Sequence, residues 1–183
     1  QPKMETQSLR FAGAETLLGT ALDGIGPVSP PEMVAAAGSI DGLLSRLTME
    51  TVRAGVAAHA CWEAAGHHGP VSVNVPLTVF LEPDLDDRLE ALVRAAGQVP
   101  SALICELTED ALYDSSSDSL IALAQSRMKG FGLALDDMGQ RQSGLLQLAR
   151  LPVTELKIDM ELLRQARSSD KARSIFSSLV ELG

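Results

Sequence analysis

The chain has 183 residues, 45% of them hydrophobic and only 3% aromatic, with a formal net charge of −9. That length supports one ordinary domain, and the scarcity of rings means a core built from Leu, Val, Ile and Ala. The negative charge argues against a nucleic-acid polymer or an acidic membrane surface as partner, because both need a cationic face. A small anionic ligand remains open, since a metal ion or a local cation could hold it. Cys61 and Cys105 make no metal-type spacing with each other or with the three histidines, and Cys105 lies in an apolar run, as expected of a buried thiol in a reducing compartment. No secretory signal or apolar run of bilayer length is present, so membrane insertion is not expected and the cytoplasm is the expected location. The sequence opens on Gln rather than Met, as a fragment or processed chain would.

In chain order, residues 1–10 read as an N-terminal flank and 11–183 as one folded region. "RFAGAETLLGTAL" predicts a first strand carrying Glu15, and "DGIGPVSPPEM" a Gly/Pro-rich loop. Ser39 is placed to cap a long helix that turns Leu43, Leu44, Leu47, Val52 and Val56 inward. His59 lies on that helix without an evident partner, Trp62 reads as packing, and His67 and His68 fall in the loop that follows. Four short apolar runs then close on polar residues. They are "VSVNV" with Asn74, "ALICELTE" with Glu106 and Glu109, "FGLALDD" with Asp136 and Asp137, and "ELKID" with Lys157. The gaps between them, about 20 to 30 residues, suit one helix per strand-to-strand crossover.

Helical patterns fill those gaps. "DLDDRLEALVRAAG" sets Leu85, Leu89, Leu92, Val93 and Ala96 on one face with Gly97 as a C-terminal cap. "SDSLIALAQSRMKG" does likewise with Leu120, Leu123 and Ala124, ending at Gly130, and "SGLLQLARLP" predicts a short helix stopped by Pro152. Residues from about Met160 to Leu182 read as one last helix.

Such alternation predicts an α/β fold with a parallel sheet and outer helices, open or closed into a barrel. The C-terminal ends of the strands form the working face of these folds. Glu15, Asn74, Glu106, Asp136 and Lys157 all fall at or near strand ends. Taken singly, each reads as a helix cap, a turn former or a solvated lysine. Together, three carboxylates and one amide carbonyl make an all-oxygen site for a hard divalent ion, Mg²⁺ or Mn²⁺ rather than Zn²⁺. Asp137, beside Asp136, could hold a second ion, and two ions about 3.5–4 Å apart can clamp both oxygens of a phosphoryl displacement. Lys157 could orient water or stabilise phosphate charge.

The ordered segments "ETLL", "VSVNV", "ELTED", "LALDDMG" and "LPVTELKID" resemble the EAL domain, a bacterial family of cyclic di-GMP phosphodiesterases. The resemblance runs from about Phe11 to the C-terminus. It implies a modified TIM (β/α)₈ barrel whose first strand runs antiparallel to its neighbour. It also implies hydrolysis of cyclic di-GMP to the linear dinucleotide by two Mg²⁺ or Mn²⁺ ions. By motif match, Glu15, Asn74, Glu106, Asp136 and Asp137 would be metal ligands, and Lys157 would contact the catalytic water. Glu109 would hold the loop after Asp137, which the family links to metal binding and homodimer formation, and Leu17 would touch substrate.

This sequence departs from the family pattern at named places. "ETL" replaces E-A-L, Gly19 stands where the family has an arginine on substrate phosphate, and "MGQRQSG", with Arg141, replaces F-G-T-G-Y-S-S. The chain also ends before the family's last motifs, so the barrel is expected to be incomplete, with its last strands missing and turnover impaired. The other reading of the same residues is a non-catalytic EAL domain that binds cyclic di-GMP or a protein partner.

Overall fold

The structure, a computed structural model, describes residues 1–24, 26–108, 116–139, 148 and 151–182. The chain divides into two compact units, Gln1–Ile104 and Cys105–Gly183.

In the first unit, β1 (Pro2–Met4) pairs antiparallel with β2 (Phe11–Glu15), and β2 pairs parallel with β5 (Val71–Asn74). An antiparallel first strand is therefore present, but it comes from residues that read as a flank. The predicted strand through residue 22 is shorter: β2 stops at Glu15, opposite Ser72 of β5. Thr20–Leu22 instead forms β3 of a separate hairpin with β4 (Gly26–Val28). The predicted loop at "SPPEM" is α1 (Pro30–Gly38), begun by Ser29 with Pro30 in the first turn and Glu32 accepting from the Ser29 N–H at 3.1 Å. Ser39 accordingly closes α1, its hydroxyl donating to Ala35 O, and Gly42 begins α2 (Leu43–Ala64). Helices α3 (Leu77–Phe80) and α4 (Leu85–Ala95) complete this unit. Gly97 does cap α4: its N–H bonds Arg94 O while that of Gln98 reaches Val93 O, the Schellman pattern.

The core of this unit is aliphatic, as the composition requires. Val71 and Val73 of β5 and Val52 and Val56 of the adjoining α2 are buried, and Leu85, Leu89 and Val93 line the inner face of α4. Each such side chain contributes about 1.5–3 kcal/mol on burial. Helix α2 lies close on the strands because Gly55 lacks a side chain; a Cβ there would stand 2.9 Å from Thr16 and 3.2 Å from Val73.

The second unit holds most of β6 (Leu103–Thr108), then α5 (Ser117–Lys129), β7 (Gly132–Met138), β8 (Glu155–Ile158), α6 (Met160–Gln165) and α7 (Asp170–Leu182), with strand order β6-β7-β8. Pairing of β7 with β8 is parallel. Leu107, Leu123, Phe131, Leu133, Leu135 and Met138 are fully buried. Along α5 the inward positions are Leu123 with Ser119 and Ser126, whereas Ala124 faces solvent. The single predicted helix over 160–182 is two, because the Ser169 hydroxyl accepts from Ala172 N and starts a new helix with Asp170 in its first turn. Of the helix predicted at "SGLLQLARLP", only Leu148, which is helical, and Leu151 and Pro152, which are not, lie among the described residues.

Gly13 offers a direct check on the β2–β5 pairing. Its φ is +138°, and a Cβ would sit 2.6 Å from the Pro70 carbonyl oxygen, a backbone atom that cannot move aside cheaply. Gly13→Ala is expected to lower unfolding stability by about 2 kcal/mol or more, read by urea denaturation.

Candidate metal centre

The adjacent carboxylates Asp136 and Asp137 lie in a β-bulge. Along β7 and β8, Leu135 pairs with Leu156 and Met138 with Ile158, so Asp136 and Asp137 together face the single residue Lys157. Asp137 takes φ +60°, the left-handed region that Asp tolerates better than most residues, and its N–H donates to Asp136 Oδ1 at 2.9 Å. Neither residue starts a helix. The extra residue ends simple alternation, and the Asp136 carboxylate meets the lysine opposite.

Backbone contacts at both ends of β8 fix the position of Lys157. Thr154 takes the Leu133 N–H on its hydroxyl at 3.1 Å and gives its own N–H to Leu133 O at 2.8 Å. Beyond the strand, Asp159 N–H bonds Met138 O at 3.1 Å, and the Asp159 carboxylate accepts from Glu161 N to cap α6. Between these anchors the Lys157 ammonium donates to Glu106 Oε2 at 2.7 Å and to Asp136 Oδ2 at 2.8 Å. Glu106 comes from β6 and is 1% exposed among Ile104, Cys105 and Leu107.

Burial by itself would lower the pKa of Lys157. The hydrogen bonds to Asp136 and Glu106, with the charges of both carboxylates, outweigh it and raise the pKa well above the ordinary lysine value. Glu106 and Asp136 each bring a carboxylate oxygen within 4.8 Å of the other. A buried carboxylate is costly without a countercharge, and here a cation already seats between two of them. Hard oxygen donors at this separation fit a Mg²⁺ or Mn²⁺ ion, not a soft metal.

The remaining expected residues fall as follows. Glu15, half-buried, ends β2 opposite Ser72, and Asn74 ends β5, exposed, on the same face as Ser72 by strand alternation. Both belong to the first unit. Leu17 lies past the end of β2 and is 63% exposed. Glu109 and Arg141 lie outside the described residues. Cys105 is buried, His67 and His68 are exposed, and Trp62 packs edge-on against Phe11 and His59. Sequence reasoning missed Lys3, whose ammonium donates to Ser72 Oγ at 2.6 Å, because its segment read as a flank. It also missed Thr154, which no pattern distinguishes from a loop residue.

With this geometry in hand, the comparisons decide the family. The EAL domain family model matches residues 1–183. The chain belongs to the EAL domain family. It is 32% identical over 187 residues to the cyclic di-GMP phosphodiesterase PA2567 of Pseudomonas aeruginosa, covering all of this chain and 31% of that protein. It superposes on the solved MucR phosphodiesterase in complex with c-di-GMP at a TM-score of 0.89 and 29% identity, covering all of this chain and 74% of that one. Klebsiella pneumoniae BlrP1, solved with calcium and cy-diGMP, matches at a TM-score of 0.80 and 27% identity, over 95% of this chain and 42% of that one. The chain spans about a quarter to a third of the length of the first curated relatives it matches. Its fold is the TIM-like EAL fold, and the antiparallel pairing of β1 with β2 agrees with the sequence expectation.

The pH dependence of the Lys157 contacts has a definite sign. A lysine whose pKa is raised by folding stabilises fully below its unfolded value, about 10.4, and that contribution fades only as pH climbs through the higher folded value. In metal-free protein, Lys157→Met is expected to lose on the order of 3 kcal/mol of stability at pH 7. The deficit relative to the parent stays constant to about pH 10 and shrinks above it, measured by denaturant titration across pH.

Proposed function

We propose that this chain is the catalytic domain of a cyclic di-GMP phosphodiesterase that hydrolyses one phosphodiester to give the linear dinucleotide. The observation that carries the reading is the Lys157–Glu106–Asp136 cluster at a bulged strand end, in a chain whose relatives include named cyclic di-GMP phosphodiesterases. Glu15, Asn74, Glu106 and Asp136 would hold one divalent ion, Mg²⁺ or Mn²⁺, and Asp136 with Asp137 a second. Such a pair supplies Lewis acidity and lowers the pKa of water at the phosphorus.

The chain's own residues do the positioning. The bulge at Asp136–Asp137 turns one strand position into two carboxylate donors. Lys157, held by Glu106 and Asp136, orients the attacking water through an ammonium that stays charged at any working pH. Leu17 would offer an apolar contact to a guanine or ribose, and Glu109 would hold the loop that follows Asp137. A homodimer and a cytoplasmic location belong to the same proposal; among the described residues no helix is long and apolar enough to cross a membrane.

A second reading, binding of cyclic di-GMP without turnover, is favoured by one observation. Gly19, at the position of a phosphate-contacting arginine in the family, is exposed and has no atom within 4 Å of where a Cβ would stand. The site carboxylates separate the two readings. In the protein that carries this chain, Mn²⁺-dependent hydrolysis of cyclic di-GMP is expected, and Glu106→Gln is expected to lower kcat more than about a hundredfold, beyond the loss typical of a residue one step removed from a metal. Tight binding without any turnover by the parent would instead establish the receptor reading.

A further inference from the structure

Helix α2 ends in a Schellman cap. Gly66 takes φ +85°, its N–H bonds Glu63 O at 3.0 Å, and the N–H of His67 reaches Trp62 O at 2.9 Å. The cap folds the chain back beside the last turn of the helix, and His68 Nδ1 comes to 2.7 Å from Glu63 Oε1. His59 stands four residues before Glu63, on the same helix face. Its Nε2 lies 3.9 Å from the other carboxylate oxygen, Glu63 Oε2. Phe11, at the start of β2, packs edge-on against Trp62 and His67. The cluster therefore sits at the end of β2 remote from Glu15, about 13 Å along the strand.

His59 is the unusual member. It is 4% exposed, and its Nδ1 has no hydrogen-bond partner among the described residues. At 3.9 Å its Nε2 is also beyond hydrogen-bond reach of Glu63. Buried polar atoms are nearly always paired, because an unmade bond is destabilising, and packing alone is served as well by an apolar side chain. The gap between Nε2 and Oε2 has the size of an ion. A nitrogen and an oxygen that share one Zn²⁺ stand about 3.3 Å apart in a tetrahedron and about 4 Å apart when nearly in line. His68 approaches the same carboxylate from the solvent side, and its exposed ring can turn onto an ion without loss of packing.

We propose that His59, Glu63 and His68 form a zinc-binding site that clamps the end of α2 to the loop leading into β5. Two imidazoles and a carboxylate are a three-ligand zinc set with the fourth position left to water, and they favour Zn²⁺ over Mg²⁺. None of the three belongs to the carboxylate set at the strand ends, so the site does not depend on the phosphodiesterase reading. The loop it braces packs tightly on β2, where a Cβ on Gly69 would stand 2.7 Å from Gly13 N.

The test titrates zinc chloride into the tag-free protein that carries this chain, by calorimetry, with excess Mg²⁺ present to occupy the carboxylate centre. Zinc is expected to bind and to raise the thermal midpoint, as any ligand of the native state does. Glu63→Gln and His68→Ala, both changes at the helix surface or in the loop, are each expected to weaken zinc binding at least about tenfold and to remove the thermal shift. His59 is buried, so it is followed by histidine ring NMR in the parent rather than by substitution, and its signals are expected to move together with those of His68 as zinc is added. Unchanged zinc affinity in either folded variant would overturn the site. So would a folded parent that binds no zinc, or His59 signals that stay fixed while zinc binds.

Discussion

Everything in the second unit turns on one constraint: a buried glutamate needs a cation. Glu106 is almost wholly withdrawn from water in a strand that otherwise reads as core. A lone charge there would protonate or destabilise the fold by several kcal/mol. Lys157 answers it at 2.7 Å and answers Asp136 at 2.8 Å with the same ammonium. The pairing of β8 with β7, pinned by Thr154 and Asp159, exists in the register that makes this possible. A slip of one residue would turn Lys157 to the other face of the sheet.

The bulge is the second device. A regular strand would send Asp136 and Asp137 to opposite faces. One extra residue, with Asp137 at φ +60°, interrupts that alternation at a modest backbone cost. Strain of this kind persists where surrounding structure over-determines it, here the Thr154 and Asp159 bonds on either side. The same carboxylates that make the fold depend on a cation are the donors a hard divalent ion would use.

Much of this was legible in the sequence. The strands at "VSVNV", "ALICELTE", "FGLALDD" and "ELKID" were readable because each is a short apolar run closing on a polar residue. Helix α4 was readable because its period and its Gly97 cap agree. What failed was punctuation. Ser39 looks like an N-cap in isolation, but Ser29 with Pro30 and Glu32 starts a helix earlier and leaves Ser39 to end it. Ser169 and Asp170 break an otherwise continuous helical pattern in the same way. Strand β1 was missed because three residues carry no period, and their role depends on pairing with β2 across a turn. Lys3 was lost with it. The carboxylate cluster was legible as a set of strand ends, whereas the bulge was not, since register is a property of two strands and no single stretch records it.

The most direct measurement is anomalous diffraction from crystals of the protein grown with Mn²⁺. The account predicts a manganese peak within coordination distance of both the Glu106 and Asp136 carboxylates, with Lys157 still beside them, and a second peak at Asp137. Manganese bound elsewhere, with the Lys157 cluster left metal-free at saturating Mn²⁺, would contradict it.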